Sequence, residues 1–236
     1  MIILLGPTAT GKTALAAHLA SRIDAEIISA DSRQVYRRMD IGTGKDLHEY
    51  VVNGKTIPHH LIDIAEPGEQ YNLYRYTQDF RQAYNDILSR GHTPLCCGGT
   101  GLYIEAVLKG YYAAPVDAPV FGLAISRELR RERISRRLDE RLAGGMVDEV
   151  KALLESGVSS ERLLRYGLEY RYVTLFLLGK IPYQQMHDRL EIAIHQFAKR
   201  QMTWFRGMQE RRGVNIRWID ATLPIEQKIQ LILNQL

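Results

Sequence analysis

Eight residues near the amino terminus, Gly6, Pro7, Thr8, Ala9, Thr10, Gly11, Lys12 and Thr13, match the pattern GxxxxGK[ST]. Glycines at its first and sixth positions let backbone N–H groups turn inward around phosphate oxygens. Lys12 adds a point charge there, and the Thr13 hydroxyl is a ligand for Mg²⁺. A glycine turn that merely capped a helix would have no use for Lys12. Phosphate binding does not name a reaction, so what stands opposite the loop decides the chemistry. Asp31 closes the apolar run EIISADS. It reads as a general base, a metal ligand, or a helix cap together with Ser32. The run TPLCCGGTG ends instead in Gly98, Gly99, Thr100 and Gly101. The acid that ATP hydrolases place on such a strand is missing, which disfavours ATPase and GTPase chemistry and leaves a small-molecule kinase open. The Thr100 hydroxyl either meets a ligand or sits in a tightly packed turn.

Two further stretches are basic. RELRRERISRRLDER, residues 127–141, holds seven arginines, of which Arg133, Arg137 and Arg141 share a helical stripe at i, i+4 spacing. Such a stripe suits a diphosphate or RNA phosphates. The interleaved Glu128, Glu132, Asp139 and Glu140 also fit a solvated helix. HQFAKRQMTWFRGM sets Lys199, Arg200 and Arg206 among Phe197, Trp204 and Phe205. Cations and aromatics together grip phosphates and stack on unpaired bases; an amphipathic helix with a buried aromatic face gives the same pattern. His59 and His60 are either ligand contacts or ordinary core and surface histidines.

These groups need a frame. Residues 1–5 read as a strand, and Leu15, Leu19 and Ile23 give residues 12–23 a helical period. EIISADS and TPLCCGGTG are further short strands, with a helix from about Tyr74 to Arg90 between them and Gly91 at its C′ position. Short apolar strands alternating with helices indicate a parallel sheet covered on both faces, with ligands at the carboxyl ends of the strands. Ser126 to Glu155 is helix-like, a long helix runs from about Tyr183 to Met208, and VNIRWID is a late strand. The expected architecture is an α/β, P-loop NTPase-like sheet flanked by helices with a helical C-terminal elaboration, one domain over 1–236.

Composition agrees with an enzyme of this kind. The 236 residues are 45% hydrophobic and 25% charged, enough for a full core. The net charge of +4 permits a polyanionic partner without requiring one. Cys96 and Cys97 are adjacent, a poor arrangement for a bridge or a zinc site, which points to a reduced, cytoplasmic setting. No apolar run approaches the ~18 residues of a membrane span.

Taken together, GPTATGKT, ADSRQVYRRMDIGTGK, PHHLIDIAEPGEQYNLYRY, CCGGTGLYIEAVL, ISRELRRERISRRLDERLAGGMVDEV and HQFAKRQMTWFRG resemble the tRNA dimethylallyltransferases, or tRNA isopentenyltransferases, of bacterial type. The phosphate loop is generic, whereas DSRQVYRRMDIGTGK and AKRQMTWFR are distinctive. The resemblance implies a loop that binds dimethylallyl diphosphate. It also implies transfer of the allyl group to N6 of the adenosine 3′ of the anticodon in tRNA, with Mg²⁺ as cofactor. Asp31 then orients N6 and receives its proton. Thr100 lies near the diphosphate and the target nucleotide, and Arg137 and Arg127 fall on the diphosphate side. Asp31, Ser32, Arg33, Gln34, Thr100, Lys199, Arg200 and Arg206 are its tRNA contacts, with the anticodon stem-loop as partner and a monomeric enzyme.

One departure from that family is large. Its bacterial members carry a helical insertion of some tens of residues that grips the anticodon stem-loop. Here YYAAPVDAP runs directly into VFGLAIS, so the insertion is either absent or left out at about 115–120. Its absence would favour a free-nucleotide relative, an adenylate isopentenyltransferase acting on AMP, ADP or ATP. A small-molecule P-loop kinase and a non-catalytic RNA-binding module are the rivals from other classes.

Overall fold

The computed structural model describes residues 1–236. In chain order the first elements are β1 (Ile2–Leu5), α1 (Lys12–Ile23), β2 (Ala25–Ser29), β3 (Val51–Val52), β4 (Lys55–Thr56) and β5 (His59–His60). Next come α2 (Leu73–Ser89), β6 (Thr93–Gly98), α3 (Gly101–Lys109), β7 (Val120–Ala124), α4 (Arg127–Ala143), α5 (Met146–Glu155) and α6 (Ser160–Leu163). The chain closes with α7 (Leu168–Leu177), α8 (Tyr183–Arg212), β8 (Ile216–Asp220) and α9 (Ile225–Leu233).

Six strands form one sheet in the order β5-β2-β6-β1-β7-β8, and every pair in it is parallel. All four residues of β1 are buried because successive side chains point to opposite covered faces. Ile2 and Leu4 join Leu15 and Leu19 of α1 and Ile229 and Ile232 of α9. Ile3 and Leu5 join Tyr76 and Phe80 of α2, Ile104 of α3, and Phe205 and Met208 of α8. Each fully buried Leu or Ile contributes roughly 1.5–3 kcal/mol, so these alternating runs decide the sheet. A third core lies off the sheet, where α4, α5, α7 and α8 pack on one another and enclose Val35, Tyr36 and Met39.

Several elements differ from expectation, each for a local reason. The helix-like stretch from Ser126 to Glu155 is two helices, broken at Gly144–Gly145, where Gly145 takes a φ of 99° that a side chain would resist. The long helix α8 continues past Met208 to Arg212, where Gly213 caps it in the left-handed conformation. β7 escapes a propensity reading because it follows Pro119 and contains Gly122. A Cβ on Gly122 would lie 2.6 Å from the Trp218 ring of β8, so glycine serves strand-to-strand packing there. The helix before β6 and its C′ glycine are as expected, with Gly91 at φ 81°.

Candidate active site

A cavity of about 570 Å³ opens at the carboxyl ends of β1, β2 and β6. On one side lies the phosphate loop between β1 and α1. Its tight path requires Gly11 at φ 75° and places Ala9 at φ 63°, a conformation that costs a non-glycine residue energy. The Pro7 carbonyl accepts hydrogen bonds from Thr10 Oγ1 and Lys12 Nζ, both at 2.8 Å, which folds the lysine over the loop. Burial lowers the Lys12 pKa to about 8, with Arg137 adding to the effect and Cys97 and Asp31 opposing it. An anion bound beside it would restore the charged form.

Opposite the loop stand Asp31 and its neighbours, just beyond β2. Asp31 Oδ1 accepts the Arg33 N–H at 2.8 Å, and Thr100 Oγ1 accepts the Ser32 N–H at 3.0 Å. Gln34 Nε2 donates to the Gly44 carbonyl at 3.0 Å, so it braces the loop that carries Asp31. That loop, residues 30–46, is tied by one group of its own and one distant group. Lys45, 1% exposed, donates to Asp40 Oδ1 and the Tyr36 carbonyl, each at 2.6 Å, and also bonds Asp63. Glu149 of α5 accepts the N–H groups of Asp40 (2.8 Å), Ile41 (2.7 Å) and Gly42 (3.1 Å), and the Tyr170 hydroxyl at 2.6 Å.

The third wall comes from the helical lobe. Arg137 and Arg141, one turn apart on α4, both reach the cavity, and Arg137 pairs with Asp46. Burial and the neighbouring Arg137 lower the pKa of Arg141. Glu169 also lines the cavity, with its carboxyl pushed up by burial, as does Glu49, raised by burial and by Asp46. Glu49 and Thr13 line the same cavity. Apolar surface is supplied by Ala9, Leu168, Ile194, Phe197 and Trp204. In the cavity wall, Gln201 of α8 accepts the Thr8 N–H and donates to the Gly99 carbonyl, both at 2.9 Å.

Most residues anticipated from sequence therefore meet in one place. Thr8 to Thr13, Asp31 to Gln34, Thr100, Arg137 and Arg200 line the cavity. Gly6 and Pro7 lie beneath it and shape the loop. Arg127 is a correction: ten residues before Arg137, it sits about 15 Å away along α4 and does not line the cavity. It and Arg206 flank Arg130, whose pKa burial and those two charges depress. Lys199 and Arg200 face an outer surface groove with Trp204, Arg211 and Arg212, whereas Arg206 is not part of it. His59 bonds the Ile57 carbonyl and His60 pairs with Glu26, and neither reaches the cavity. Cys97 does reach it, but burial pushes its thiol up to about 12, so it is no nucleophile.

Sequence reading missed Gln201, Glu49, Lys45, Glu149 and Glu169 as site residues. Only Gln201 had a visible signal, a polar residue on the inward face of an otherwise apolar stripe. For a metal, no group of three His, Cys, Asp or Glu side chains is poised to bind one. The Thr13 hydroxyl in the cavity, with Glu49 beside it, fits a cation that keeps most of its waters and takes substrate phosphates as ligands, as Mg²⁺ does. No helix is long and apolar enough to cross a membrane.

Known proteins share this arrangement. The family model described as IPP transferase matches residues 34–120 and 112–208, and the one described as Isopentenyl transferase matches residues 1–57. A relative from Phocaeicola vulgatus, tRNA dimethylallyltransferase 2, is 48% identical over 299 aligned positions, covering 100% of this chain and 97% of the relative. A second from Parabacteroides distasonis, tRNA dimethylallyltransferase 1, is 48% identical over 303 positions, covering 100% and 98%. Among solved structures, a tRNA isopentenylpyrophosphate transferase from Bacillus halodurans superposes with a TM-score of 0.88 at 27% identity, covering 99% of this chain and 94% of that one. A eukaryotic dimethylallyltransferase acting on tRNA gives 0.84 at 21% identity, a likeness of fold. The alignment of 299 positions against a chain of 236 leaves at least 63 positions of the first relative without a counterpart. The two IPP transferase matches overlap at residues 112–120.

Proposed function

This chain belongs to the tRNA dimethylallyltransferase family, and from that premise we propose that it transfers the dimethylallyl group of dimethylallyl diphosphate to tRNA. The acceptor is N6 of the adenosine 3′ of the anticodon. The observation that carries this reading is the cavity in which an anion cradle faces a carboxylate across a partly apolar gap. The N6–C1 bond forms as the C1–O bond to diphosphate breaks, and the N6 proton passes to Asp31. Charge grows on the leaving diphosphate. The loop amides, Lys12 and Arg137 stand where that charge develops and stabilise the transition state more than the ground state. A Mg²⁺ held at Thr13 would supply further neutralisation of the diphosphate. The apolar lining by Ala9, Ile194 and Phe197 suits a five-carbon allyl tail and keeps water from it.

The acceptor base must leave its stack to reach Asp31, a cost of a few kcal/mol that RNA contacts offset. Arg33 at the cavity and Lys199 and Arg200 at its rim are the contacts we assign to that task. Ser32 and Thr100, bonded to each other, hold the entrance beside Asp31. We assign the unmatched positions near residues 112–120 to the family's RNA-gripping insertion. The protein acts as a monomer in the cytoplasm under this reading.

The missing positions favour one second reading, prenylation of a free adenine nucleotide. Incubation with Mg²⁺ and labelled dimethylallyl diphosphate, offering unmodified tRNA and AMP separately, separates the two. Label on N6 of a tRNA adenosine, identified by mass spectrometry, is the expected result. Label on AMP alone would replace tRNA as substrate, and transfer of the γ-phosphate of ATP without use of the allylic diphosphate would make the protein a kinase.

A further inference from the structure

Gln201 is the one polar side chain on the buried stripe of α8 and lines the cavity, 8% exposed among Ala198, Phe205 and Met208, which are fully buried. Its amide is used at both ends. Oε1 accepts the Thr8 N–H of the phosphate loop, and Nε2 donates to the Gly99 carbonyl, each at 2.9 Å. Space is closed around it as well, since a Cβ on Gly99 would lie 2.5 Å from Nε2. Thr8 thus commits its N–H to the protein, leaving the later loop amides for phosphate.

From Gly99 the connection continues. Thr100 N–H donates to the Ala30 carbonyl at 3.0 Å, and Thr100 Oγ1 accepts the Ser32 N–H at 3.0 Å. Ala30 and Ser32 flank Asp31. An unbroken path of hydrogen bonds therefore runs from the leaving-group cradle to the backbone that carries the base, and Gln201 is its only side-chain amide link to the cradle. Transfer between an allylic carbon and a nitrogen needs those two ends held at one spacing, and an error of about 1 Å can cost on the order of a hundredfold in rate.

We infer that Gln201 is a positioning residue that sets the distance between the diphosphate cradle and Asp31, an inference that rests on the prenyl-transfer reading above. Only an amide provides an acceptor for Thr8 and a donor for Gly99 at once. A carboxyl matches it when protonated; when ionised it keeps the first bond and repels the Gly99 oxygen.

Two variants test this. Q201L is expected to lower kcat by about 10- to 100-fold while the KM for dimethylallyl diphosphate and the Kd for tRNA change less than about threefold. Q201E should be as slow at pH 8, and its rate relative to wild type should climb as the pH falls and the carboxyl regains its proton. A flat ratio across pH, or a kcat within about twofold of wild type in both variants, would overturn the assignment. So would a lowered melting temperature with unchanged kcat, the mark of a structural role. Hydrogen exchange of the Thr8 amide gives a reading independent of catalysis, expected to be at least about tenfold faster in Q201L. Unchanged exchange there sinks the clamp, whereas a wild-type protein that prenylates nothing sinks only the functional reading.

Discussion

Two loops face each other across the cavity, and they are made rigid in opposite ways. The phosphate loop is shaped chiefly from within, by backbone conformations at Gly6, Ala9 and Gly11 and by bonds that span three to five residues, with one outside tie from Gln201 to the Thr8 N–H. Residues 30–46, which carry Asp31, have almost no regular structure and are held mainly from outside, by Glu149 more than a hundred residues on and by Asp63, to which the loop's own Lys45 bridges. A loop that must wrap a fixed anion can be written in eight consecutive residues. A loop that must place one carboxylate beside an incoming nucleotide borrows its order from the helical lobe, and so couples the base to the packing of α5 and α7.

The contrast is broken most sharply at its chemical ends. Asp31→Asn keeps an acceptor for the Arg33 N–H but takes no proton from N6, so kcat is expected to fall by about 10²–10⁴-fold. Lys12→Ala should lose turnover comparably. Binding of tRNA, measured by filter retention, should persist in both; loss of retention would mean that docking and catalysis share these groups.

The middle of the scale tests the far-held loop. Glu149→Gln removes the charge that gathers three N–H groups and the Tyr170 hydroxyl, and Lys45→Met leaves the Tyr36 carbonyl unpaired. Each should cost about 1–3 kcal/mol in urea unfolding, and kcat should drop with it. The affinity for inorganic pyrophosphate, which the phosphate loop and Arg137 bind, should stay within about threefold of wild type in both. A parallel loss of pyrophosphate binding would show that the two loops are one unit.

The smallest expected effect is a proton. With its pKa lowered to about 8 in the free protein, Lys12 is partly neutral above that pH, and an anion beside it raises the pKa again. Pyrophosphate binding should then take up a fraction of a proton near pH 8.5 and less near pH 6.5. The quantity is read by calorimetry in buffers of different ionisation heat, as the difference between wild type and Lys12→Met. No difference at pH 8.5 would place the lysine outside the anion's reach.

The same contrast explains what could be read before the fold was known. Gly6 to Thr13 announced itself because its function depends on local backbone geometry, and the alternating β1 run and the period of α1 followed from burial alone. Asp31 and Thr100 could be placed at the cavity from sequence because strands of a parallel sheet deliver their carboxyl ends to one crevice, and a family likeness pointed to Arg137, which also lines it. Lys45 and Glu149 were invisible, since a lysine and a glutamate at those positions look like solvated charge until tertiary packing turns them toward the chain. Arg127 falls outside the cavity because helix rise, and not residue type, decides which arginine of a basic run faces it. β7 was missed because Pro119 precedes it and its Gly122 answers to a neighbour's indole ring.

The stretch between α3 and β7 bears on how such a protein can change. Gly110 and Pro115 lie so close that a Cβ on the glycine would meet the proline nitrogen at 2.5 Å, and the Val116 N–H returns to the Val107 carbonyl at 3.1 Å. The chain thus leaves and rejoins the core through a single gate. For an excursion whose ends are already together, each doubling of its length costs only about 0.6 kcal/mol of closure entropy. A segment inserted at that gate would therefore cost little in closure entropy and need not disturb the catalytic frame.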